Sequence, residues 1–292
     1  MKKIINLNEY DNISINSPFR WAGGKFYARK IIQAYIPKHN YYIEPFLGGG
    51  SVFFHKNKTE SWLNDFDKNL MNCYLNIKSN VFKLINYLDG EVATKDRHFF
   101  FKKKFKPRNP LEKAARYYYL NRTSYSGIMK EENCYWGYGE KYSMRPENWG
   151  RQLIKNYKKL QGTKLTSVSY ESIFNNLPTK KEIFMFLDPP YYNADQNKFY
   201  ANSFTLKDHY KLSEILKKLP KKIKFLLTYD NSLEVRKLYS WANQVKEHEW
   251  NYVIARTDDQ KKNKKLKDGY SKSREKGKEI FIFNYNLNEL IK

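Results

Sequence analysis

The alternation of short apolar runs with amphipathic helical patterns restricts the possible folds of this chain more than any other feature. Seven runs have the length and composition of strands, and they fall at 41–46, 60–64, 165–169, 183–187, 223–229, 246–254 and 279–284. Helical patterns lie between most of them, at 26–36, 68–88, 147–160, 207–218 and 232–242. Strands that alternate with helices predict an α/β protein with a seven-stranded, mostly parallel sheet covered by helices on both faces.

One long interval breaks this alternation. Residues 68–163 contain no clear strand and are rich in Lys, Arg and Tyr, which is typical of an inserted, mainly helical domain. We therefore expect two domains, one of residues 1–67 and 164–292 around the sheet and one of residues 68–163. A chain of 292 residues is long enough for one large core and such an insertion.

The strongest bulk property is a formal net charge of +24. Such a charge favours a polyanionic partner, because phosphates are attracted to it at long range. The stretch 97–108 interleaves basic and aromatic side chains, which suits phosphate contacts combined with base stacking. A second basic stretch, 256–278, precedes the last strand and is expected to be a loop. Membrane-surface binding is the competing interpretation, but neither terminus has a strongly amphipathic basic helix.

Several classes of protein are disfavoured. No apolar run approaches the ~18 residues of a membrane span, and residues 1–16 lack the apolar stretch of a signal peptide. Cys73 and Cys134 form no CxxC pair, so neither a disulfide framework nor a structural metal site is expected. We therefore expect a cytoplasmic protein with no membrane partner and no metal.

Two motifs follow the first two strands. The run "EPFLGGGS" places Gly48 and Gly50 after the first strand, where glycines allow a tight turn and close approach of a ligand. Asp65 follows the second strand and has the position of an acid that binds ribose hydroxyls, although an acid there can also cap the next helix. Together the two motifs favour a ligand that contains adenosine.

Two further motifs supply charged side chains to the predicted site. The run "PFRWAGGK" supplies Trp21 as a flat apolar surface and Lys25 as a cation, which either pairs with an anionic ligand group or is simply solvated. The fourth strand ends in "DPPYY", which begins at Asp188. A carboxylate at the end of a buried strand costs desolvation, so it usually has a partner or a task. The two prolines stiffen the loop and leave backbone carbonyls free.

Seven blocks in this order resemble those of Dam-type, alpha-class DNA adenine methyltransferases: "PFRWAGGK", "EPFLGGGSVFF", "NDFD", "YLNRTSYSGI", "DPPYY", "NSFTL" and "TYDNS". The resemblance runs from about residue 18 to 284. It implies a Rossmann-like fold that uses S-adenosylmethionine, with the sheet domain catalytic and residues 68–163 as the target-recognition domain. The implied reaction is site-specific methylation of the exocyclic amine of adenine in double-stranded DNA.

The resemblance also implies roles at the reacting centre. Asp188 and the carbonyl of Pro189 would accept hydrogen bonds from the amine of the target adenine, and Tyr191 would stack on that base. The base must first leave the helix, because its amine is unreachable inside a duplex. Neither cysteine lies in a Pro-Cys pair, which argues against a covalent enzyme intermediate. The resemblance places the cofactor against Trp21, Lys25, Phe46, Gly48, Gly50, Asp65 and Asp188.

The DNA contacts implied by the resemblance fall in two stretches. Residues 120–142 would read bases, and the basic loop would contact phosphates. The residues expected to contact DNA are Arg122, Tyr125, Lys130, Trp136, Tyr138, Lys264, Lys265 and Lys267. Lys130 stands where many GATC-specific members carry an arginine. A lysine cannot reproduce bidentate reading of guanine, so GATC recognition is not expected.

Alternatives remain open at this point. An RNA adenine methyltransferase would also suit the charge of +24, and a non-catalytic DNA-binding protein could retain the same fold. Methylation of a protein glutamine is disfavoured, because such enzymes favour NPPY where this chain has Asp188. A cognate restriction endonuclease is a possible partner that acts on the same DNA site without a stable complex.

Overall fold

The structure is a computed structural model that describes residues 15–141, 143–193, 204–251 and 276–291. Its centre is a seven-stranded sheet in the order β3-β2-β1-β4-β5-β7-β6. The strands are β1 (Tyr41–Glu44), β2 (Glu60–Asn64), β3 (Thr163–Thr166), β4 (Ile183–Leu187), β5 (Ile223–Asp230), β6 (Gln244–Asn251) and β7 (Lys276–Phe283). Only β7 is antiparallel to its neighbours, β5 and β6. The predicted mostly parallel α/β sheet is therefore confirmed.

The order of the strands reverses at the centre of the sheet. The chain builds outward from β1 to β2 and β3, then returns to place β4 on the other side of β1. All five residues of β4 are apolar and buried, as expected for a strand with helices on both faces. In such sheets the carboxyl ends of the strands beside the reversal form a crevice that binds ligands.

Ten α-helices are described: α1 (Arg29–Ala34), α2 (Ser51–His55), α3 (Lys68–Ser79), α4 (Val81–Leu88), α5 (Lys95–Phe99), α6 (Pro110–Thr123), α7 (Trp149–Leu160), α8 (Tyr170–Asn175), α9 (Leu206–Lys217) and α10 (Leu233–Leu238). The helical pattern predicted over 68–88 is confirmed, and the backbone divides it at Asn80 (φ −132°, ψ 28°) into α3 and α4. Helix α6 begins as its sequence indicates: the Asn109 side chain accepts from the N–H of Glu112, and Pro110 fills the first turn.

Both faces of the sheet are buried. Helices α8, α9 and α10 cover one face, where Met185, Leu187 and Phe225 are buried. On the other face Tyr42, Phe184 and other strand residues share one apolar cluster with α1 to α4, α6 and α7. The described part of 68–163 thus packs its helices into the core of the sheet, and it contributes no residue to the sheet before β3.

No helix among the described residues combines the length and the apolar character that crossing a membrane requires.

Candidate active site

A cavity of about 840 Å³ opens at the carboxyl ends of β1, β2 and β4. Its other wall comes from α6 and the segment after it, which contribute Tyr117 and Lys130. All seven residues predicted to bind the cofactor line this cavity: Trp21, Lys25, Phe46, Gly48, Gly50, Asp65 and Asp188. One cavity therefore joins the predicted cofactor residues to a residue predicted to contact DNA.

The glycine turn after β1 is fixed by its neighbours. Gly48 has φ +48°, and a Cβ there would lie 2.7 Å from Nε1 of Trp21. Gly50 also has a positive φ, of +68°, and precedes α2. Only glycine meets both requirements without strain. The indole of Trp21 thus packs directly on the turn and leaves its backbone accessible from the cavity.

Asp65 binds this turn from the end of β2. Its Oδ2 accepts the N–H of Gly48 at 2.7 Å and its Oδ1 accepts the N–H of Asp67 at 2.9 Å. Burial, partly offset by these hydrogen bonds, raises the pKa of Asp65 to about 6. The capping role left open for Asp65 belongs to Asp67, whose Oδ1 accepts the N–H groups of Asn69 and Leu70. Asp65 is therefore placed for a ligand at the turn.

Asp188 follows β4 and is held by two side chains. Nζ of Lys25 lies 2.7 Å from its Oδ1 and 2.8 Å from its Oδ2, and Oγ1 of Thr228 donates to Oδ1 at 2.7 Å. The Asp188 side chain retains 19% of its accessible surface, whereas Lys25 retains 4%. The carboxylate is thus fixed in orientation and still faces the cavity. Among the described residues, Oδ2 has one hydrogen-bond donor and Oδ1 has two.

Lys25 is buried rather than solvated. Its ammonium also donates to the carbonyl of Gly23 at 3.0 Å and lies 3.8 Å from Oε1 of Glu279. It sits 4.9 Å from the ring centroid of Tyr191. The interpretation of Lys25 as a solvated lysine is therefore wrong, because two acids and a carbonyl compensate its desolvation.

Glu44, the last residue of β1, was missed by the sequence reasoning. It is 2% exposed and lines the cavity, and the Tyr42 hydroxyl donates to its Oε2 at 2.7 Å. Burial, opposed by that hydrogen bond and reinforced by the charge of Asp188, raises the pKa of Glu44 to about 8. Glu44 is therefore mainly protonated at neutral pH. An acid as the last residue of a buried strand was the available signal.

The loop after Asp188 is anchored by the end of β5. Oδ1 of Asp230 accepts the N–H of Tyr192 at 2.8 Å, and its Oδ2 accepts the Asn193 amide at 3.0 Å. Pro189 is buried. The Tyr191 ring lies at the cavity, with its centroid 6.1 Å from that of Tyr229. The stiff loop expected from the two prolines is thus also tied to the sheet.

Phe46 supplies an apolar part of the cavity wall. Its ring centroid lies 5.7 Å from those of Tyr170 and Phe204. Tyr117, from α6, supplies a polar atom that the sequence reasoning missed. It is 5% exposed, and its hydroxyl has no hydrogen-bond partner among the described residues.

Residues 123–138 begin at the last residue of α6 and fold back on themselves. We call them the recognition segment, because the sequence predicts that they read bases. Ser124 forms an antiparallel bridge with Trp136, and the N–H of Tyr125 donates to the carbonyl of Tyr135 at 2.8 Å. The N–H of Gly137 donates to the carbonyl of Thr123 at 3.0 Å. The segment is therefore a short hairpin held by backbone hydrogen bonds.

The structure brings most of the predicted DNA contacts together here. Lys130 lies at the cavity with Nζ 3.6 Å from Oε2 of Glu132. The Trp136 ring centroid lies 5.8 Å from that of Tyr138 and 5.8 Å from that of the buried His98. Tyr125 takes part in the backbone pairing of the segment. Lys264, Lys265 and Lys267 lie outside the described residues.

Arg122, at the end of α6, is 7% exposed, and its Nε has no hydrogen-bond partner among the described residues. Burial and the neighbouring charge of Arg122 lower the pKa of Arg20 to about 10. Two guanidinium groups therefore lie close together beside the recognition segment, which concentrates positive charge there.

Neither cysteine is placed to act as a nucleophile. Cys73 and Cys134 are both buried thiols, and burial raises the pKa of each. Over the described ranges, no group of three His, Cys, Asp or Glu side chains could hold a metal ion. The cavity offers the anchored carboxylate of Asp188, further acids at Glu44 and Asp65, backbone groups and aromatic rings.

Comparison with known proteins identifies similar sequences along most of the chain. The family model for D12 class N6 adenine-specific DNA methyltransferase matches residues 21–254. The chain is 26% identical over 248 residues to Type II methyltransferase M1.LlaDCHI of Lactococcus lactis subsp. cremoris, which covers 78% of this chain and 85% of that protein.

Two further relatives show the same relationship. The chain is 27% identical over 304 aligned positions to Type II methyltransferase M.MjaIII of Methanocaldococcus jannaschii, covering 92% of this chain and 99% of the relative. It is 26% identical over 239 residues to DNA adenine methylase of Escherichia coli strain K12, covering 76% and 84%.

Proposed function

The chain belongs to the family of D12 class N6 adenine-specific DNA methyltransferases, and on this basis we propose a role for each residue of the site in methyl transfer to adenine. The chain is a site-specific DNA adenine methyltransferase. In the proposal the methyl donor is S-adenosylmethionine and the substrate is an adenine extruded from double-stranded DNA. The observation that carries the assignment is the Asp188 carboxylate, which Lys25 and Thr228 anchor at the cavity beside the glycine turn.

The residues at the turn fit the proposed cofactor. Each carboxylate oxygen of Asp65 accepts one backbone N–H, from Gly48 or from Asp67, and retains a lone pair that can accept from a ribose hydroxyl. Gly48 and Gly50 allow close approach of the backbone, and Trp21 and Phe46 supply apolar surface. When bound, S-adenosylmethionine supplies an electrophilic methyl group on a cationic sulfur. Lys25 would contact its carboxylate, and Asp188 would lie near its amine.

The charges around the cavity suit a cation. Eight acidic residues line the cavity, against four basic residues, Lys25, Lys113, Arg116 and Lys130. This excess of acids favours a sulfonium over a neutral ligand.

Asp188 and Pro189 would orient the target adenine. Oδ2 of Asp188 would accept one N–H of the exocyclic amine, and the carbonyl of Pro189 would accept the other. Two fixed acceptors direct the nitrogen lone pair toward the methyl group, and positioning and preorganised dipoles then provide most of the rate. Tyr191 would stack on the base. No covalent enzyme intermediate is required, in agreement with the buried cysteines.

The DNA would lie across the recognition segment. Arg122, Tyr125, Lys130, Trp136 and Tyr138 would contact it there. The exposed lysines of 97–108 would neutralise phosphates, and Lys264, Lys265 and Lys267 would do the same from the basic loop. Neutralising these three lysines together should weaken binding to every duplex and flatten the slope of log affinity against log salt by up to ~3 units. An unchanged slope would remove the loop from the interface.

We also propose a setting for the reaction. The chain resembles proteins named Type II methyltransferases, so a restriction endonuclease that acts on the same DNA site is its proposed partner, without a stable complex. The proposed location is the cytoplasm, where double-stranded DNA and the methyl donor are both present and the two thiols stay reduced.

A transfer assay with radiolabelled S-adenosylmethionine tests the function. Purified protein is mixed with duplex DNA, with RNA of the same sequence, or with no nucleic acid. We expect label only on duplex DNA, and N6-methyladenine as the labelled nucleoside after digestion. Label on RNA alone would contradict the DNA assignment, and labelled cytosine would contradict the assignment of adenine as the target base.

A further inference from the structure

We infer that Asn121 is a positioning residue that couples the recognition segment to residues 20–25, which we call the cofactor loop. The inference rests on the proposed function, since it requires duplex DNA on the recognition segment and S-adenosylmethionine beside Trp21. It assigns a task to a side chain that contacts neither substrate.

Asn121 is fully buried in the last turn of α6 and joins the two segments through one amide. Its Oδ1 accepts the N–H of Arg20 at 2.9 Å, and its Nδ2 donates to the carbonyl of Arg20 at 2.9 Å. The same Nδ2 donates to the carbonyl of Gly127 at 3.1 Å. A side chain that pairs both backbone groups of one residue fixes that residue as a strand partner would.

The backbones of the two segments are also in direct contact. Gly127 has φ +73°, and a Cβ there would lie against the carbonyl oxygen of Arg20, well inside 3.0 Å. Nη1 of Arg20 donates to the carbonyl of Ser124 at 3.2 Å. Because there is no space between them, the recognition segment cannot move toward the cofactor loop without displacing it.

The far side of the cofactor loop reaches both parts of the site. Trp21, the next residue, packs on the glycine turn, where a Cβ on Gly48 or Gly49 would lie 2.7 Å or 2.9 Å from its atoms. Lys25 holds both oxygens of Asp188. A shift of Arg20 is therefore transmitted to the turn that binds the cofactor and to the carboxylate that orients the base. Specific DNA should then tighten cofactor binding, and the cofactor should tighten specific DNA binding by the same factor.

The competing explanation is that Asn121 only satisfies buried backbone groups. Both explanations predict a less stable variant, so stability does not separate them. The coupling between the two ligands does separate them, because an amide that only satisfies backbone groups does not determine how the affinity for the cofactor depends on DNA. Asn76 offers a matched control. It is also a buried asparagine, and its Nδ2 donates to the carbonyls of Asn72 and Pro110, away from the cofactor loop.

The experiment measures the Kd of S-adenosylhomocysteine by calorimetry, without DNA, with a duplex that the wild type methylates, and with a scrambled duplex. In the wild type, we expect the duplex that the enzyme methylates to lower the Kd of S-adenosylhomocysteine by ~5–150-fold, the usual range of coupling between sites. In Asn121→Ala this factor should fall at least fivefold, while the Kd without DNA stays within about twofold of wild type. Asn76→Ala should keep the wild-type factor.

Gly127→Ala provides a second route to the same junction if Asn121→Ala does not fold, because its methyl group pushes the segment away from Arg20. It should also reduce the factor. Wild-type coupling in either junction variant would overturn the inference, as would a wild type that methylates duplex DNA without any coupling. A wild type that methylates no duplex would instead contradict the proposed function.

Discussion

The end of the cavity around Asp188 and the recognition segment are built in opposite ways. Around Asp188, side chains hold the site: Lys25 of the cofactor loop and Thr228 of β5 fix the carboxylate. The buried Glu44 lies near enough for the charge of Asp188 to raise its pKa. In the recognition segment, backbone groups pair with each other across the hairpin, and the Gly127 carbonyl also accepts the side-chain amide of Asn121.

This difference indicates which residues can vary. At Asp188 each side chain has a buried partner, so a single substitution leaves a charge or a polar group without compensation. In the recognition segment the backbone keeps its shape while Lys130 and Tyr138 lie at its surface. If this segment reads DNA as proposed, substitutions there should change the recognised sequence without loss of the reaction. The predictions below test this contrast, in order of decreasing effect.

The largest effect is expected at the anchored carboxylate. Asp188→Ala should lower the rate of methyl transfer by ~100–1000-fold, since it removes a preorganised hydrogen-bond acceptor from the reacting centre. Single-turnover assays on duplex DNA measure this rate. Asp96→Ala, an exposed acid in the first turn of α5, is the control and should match wild type. Near-normal transfer by the Asp188 variant would show that the catalytic assignment is wrong.

The next largest effect is expected on cofactor affinity, and it should differ between the neighbouring acids Asp65 and Asp67. Asp65→Ala should weaken binding of S-adenosylmethionine by ~10–150-fold, because a charge-assisted contact worth ~1.5–3 kcal/mol is lost. Asp67→Ala removes the cap of α3 instead, so it should lower the free energy of unfolding by ~0.5–2 kcal/mol with little change in cofactor affinity. Calorimetry and thermal melts measure the two quantities. Equal cofactor affinity in both variants would place the ribose elsewhere.

A change in the recognition segment should have a different signature. Lys130→Gln should alter the preference among DNA sites by ~1–3 kcal/mol at one base pair if the lysine reads that pair. Its rate on the best site should stay close to wild type, because Lys130 lies outside the network around Asp188. Sequencing of methylated sites from a random library measures this preference. If the set of methylated sequences is unchanged in the variant, Lys130 does not contact the bases that determine the recognised site.

The pH dependence of stability should follow Glu44. Its pKa is raised by folding from 4.5 to about 8, so the folded state binds a proton that the unfolded state releases. Stability from this group is complete below pH 4.5 and is lost as the pH rises toward 8, by at most about 1.4 kcal/mol per pH unit. Glu44→Gln should therefore flatten the decline between pH 5 and 7, as thermal melts in matched buffers would show. A parallel decline in the variant would exclude Glu44 as its source.

The smallest effect is expected from the residue that orients Asp188. Thr228→Val removes one hydrogen bond that orients the Asp188 carboxylate, but Lys25 still contacts both carboxylate oxygens. The rate of methyl transfer should therefore fall by only ~2–12-fold, equivalent to ~0.5–1.5 kcal/mol. Affinity for S-adenosylmethionine should change little. Thr228→Ser restores the hydroxyl and should restore the rate. A Ser variant as slow as the Val variant would indicate that packing at this position, and not the hydrogen bond, matters.

Much of the fold and part of the site followed from local patterns. The runs at 183–187, 223–229 and 279–284 predicted β4, β5 and β7, because strands buried on both faces require nearly continuous apolar residues. Gly48, Asp65 and Asp188 could be grouped in advance, since each follows a strand and the carboxyl ends of parallel strands meet at one edge of the sheet. The helical pattern over 68–88 did not show where α3 ends and α4 begins, because an asparagine break carries little signal within an apolar pattern.

The sequence by itself thus determined the strands, the turn that needs glycine and the acids at the strand ends, because backbone conformation and burial depend on neighbouring residues. The tertiary structure decided the partners. Lys25 meets Asp188 across 163 positions, Thr228 meets it across 40, and Asn121 meets Arg20 across 101. No local pattern specifies such pairs, because a lysine, a threonine or an asparagine fits many surroundings. Only the packing of the sheet and α6 brings these particular groups within hydrogen-bonding distance.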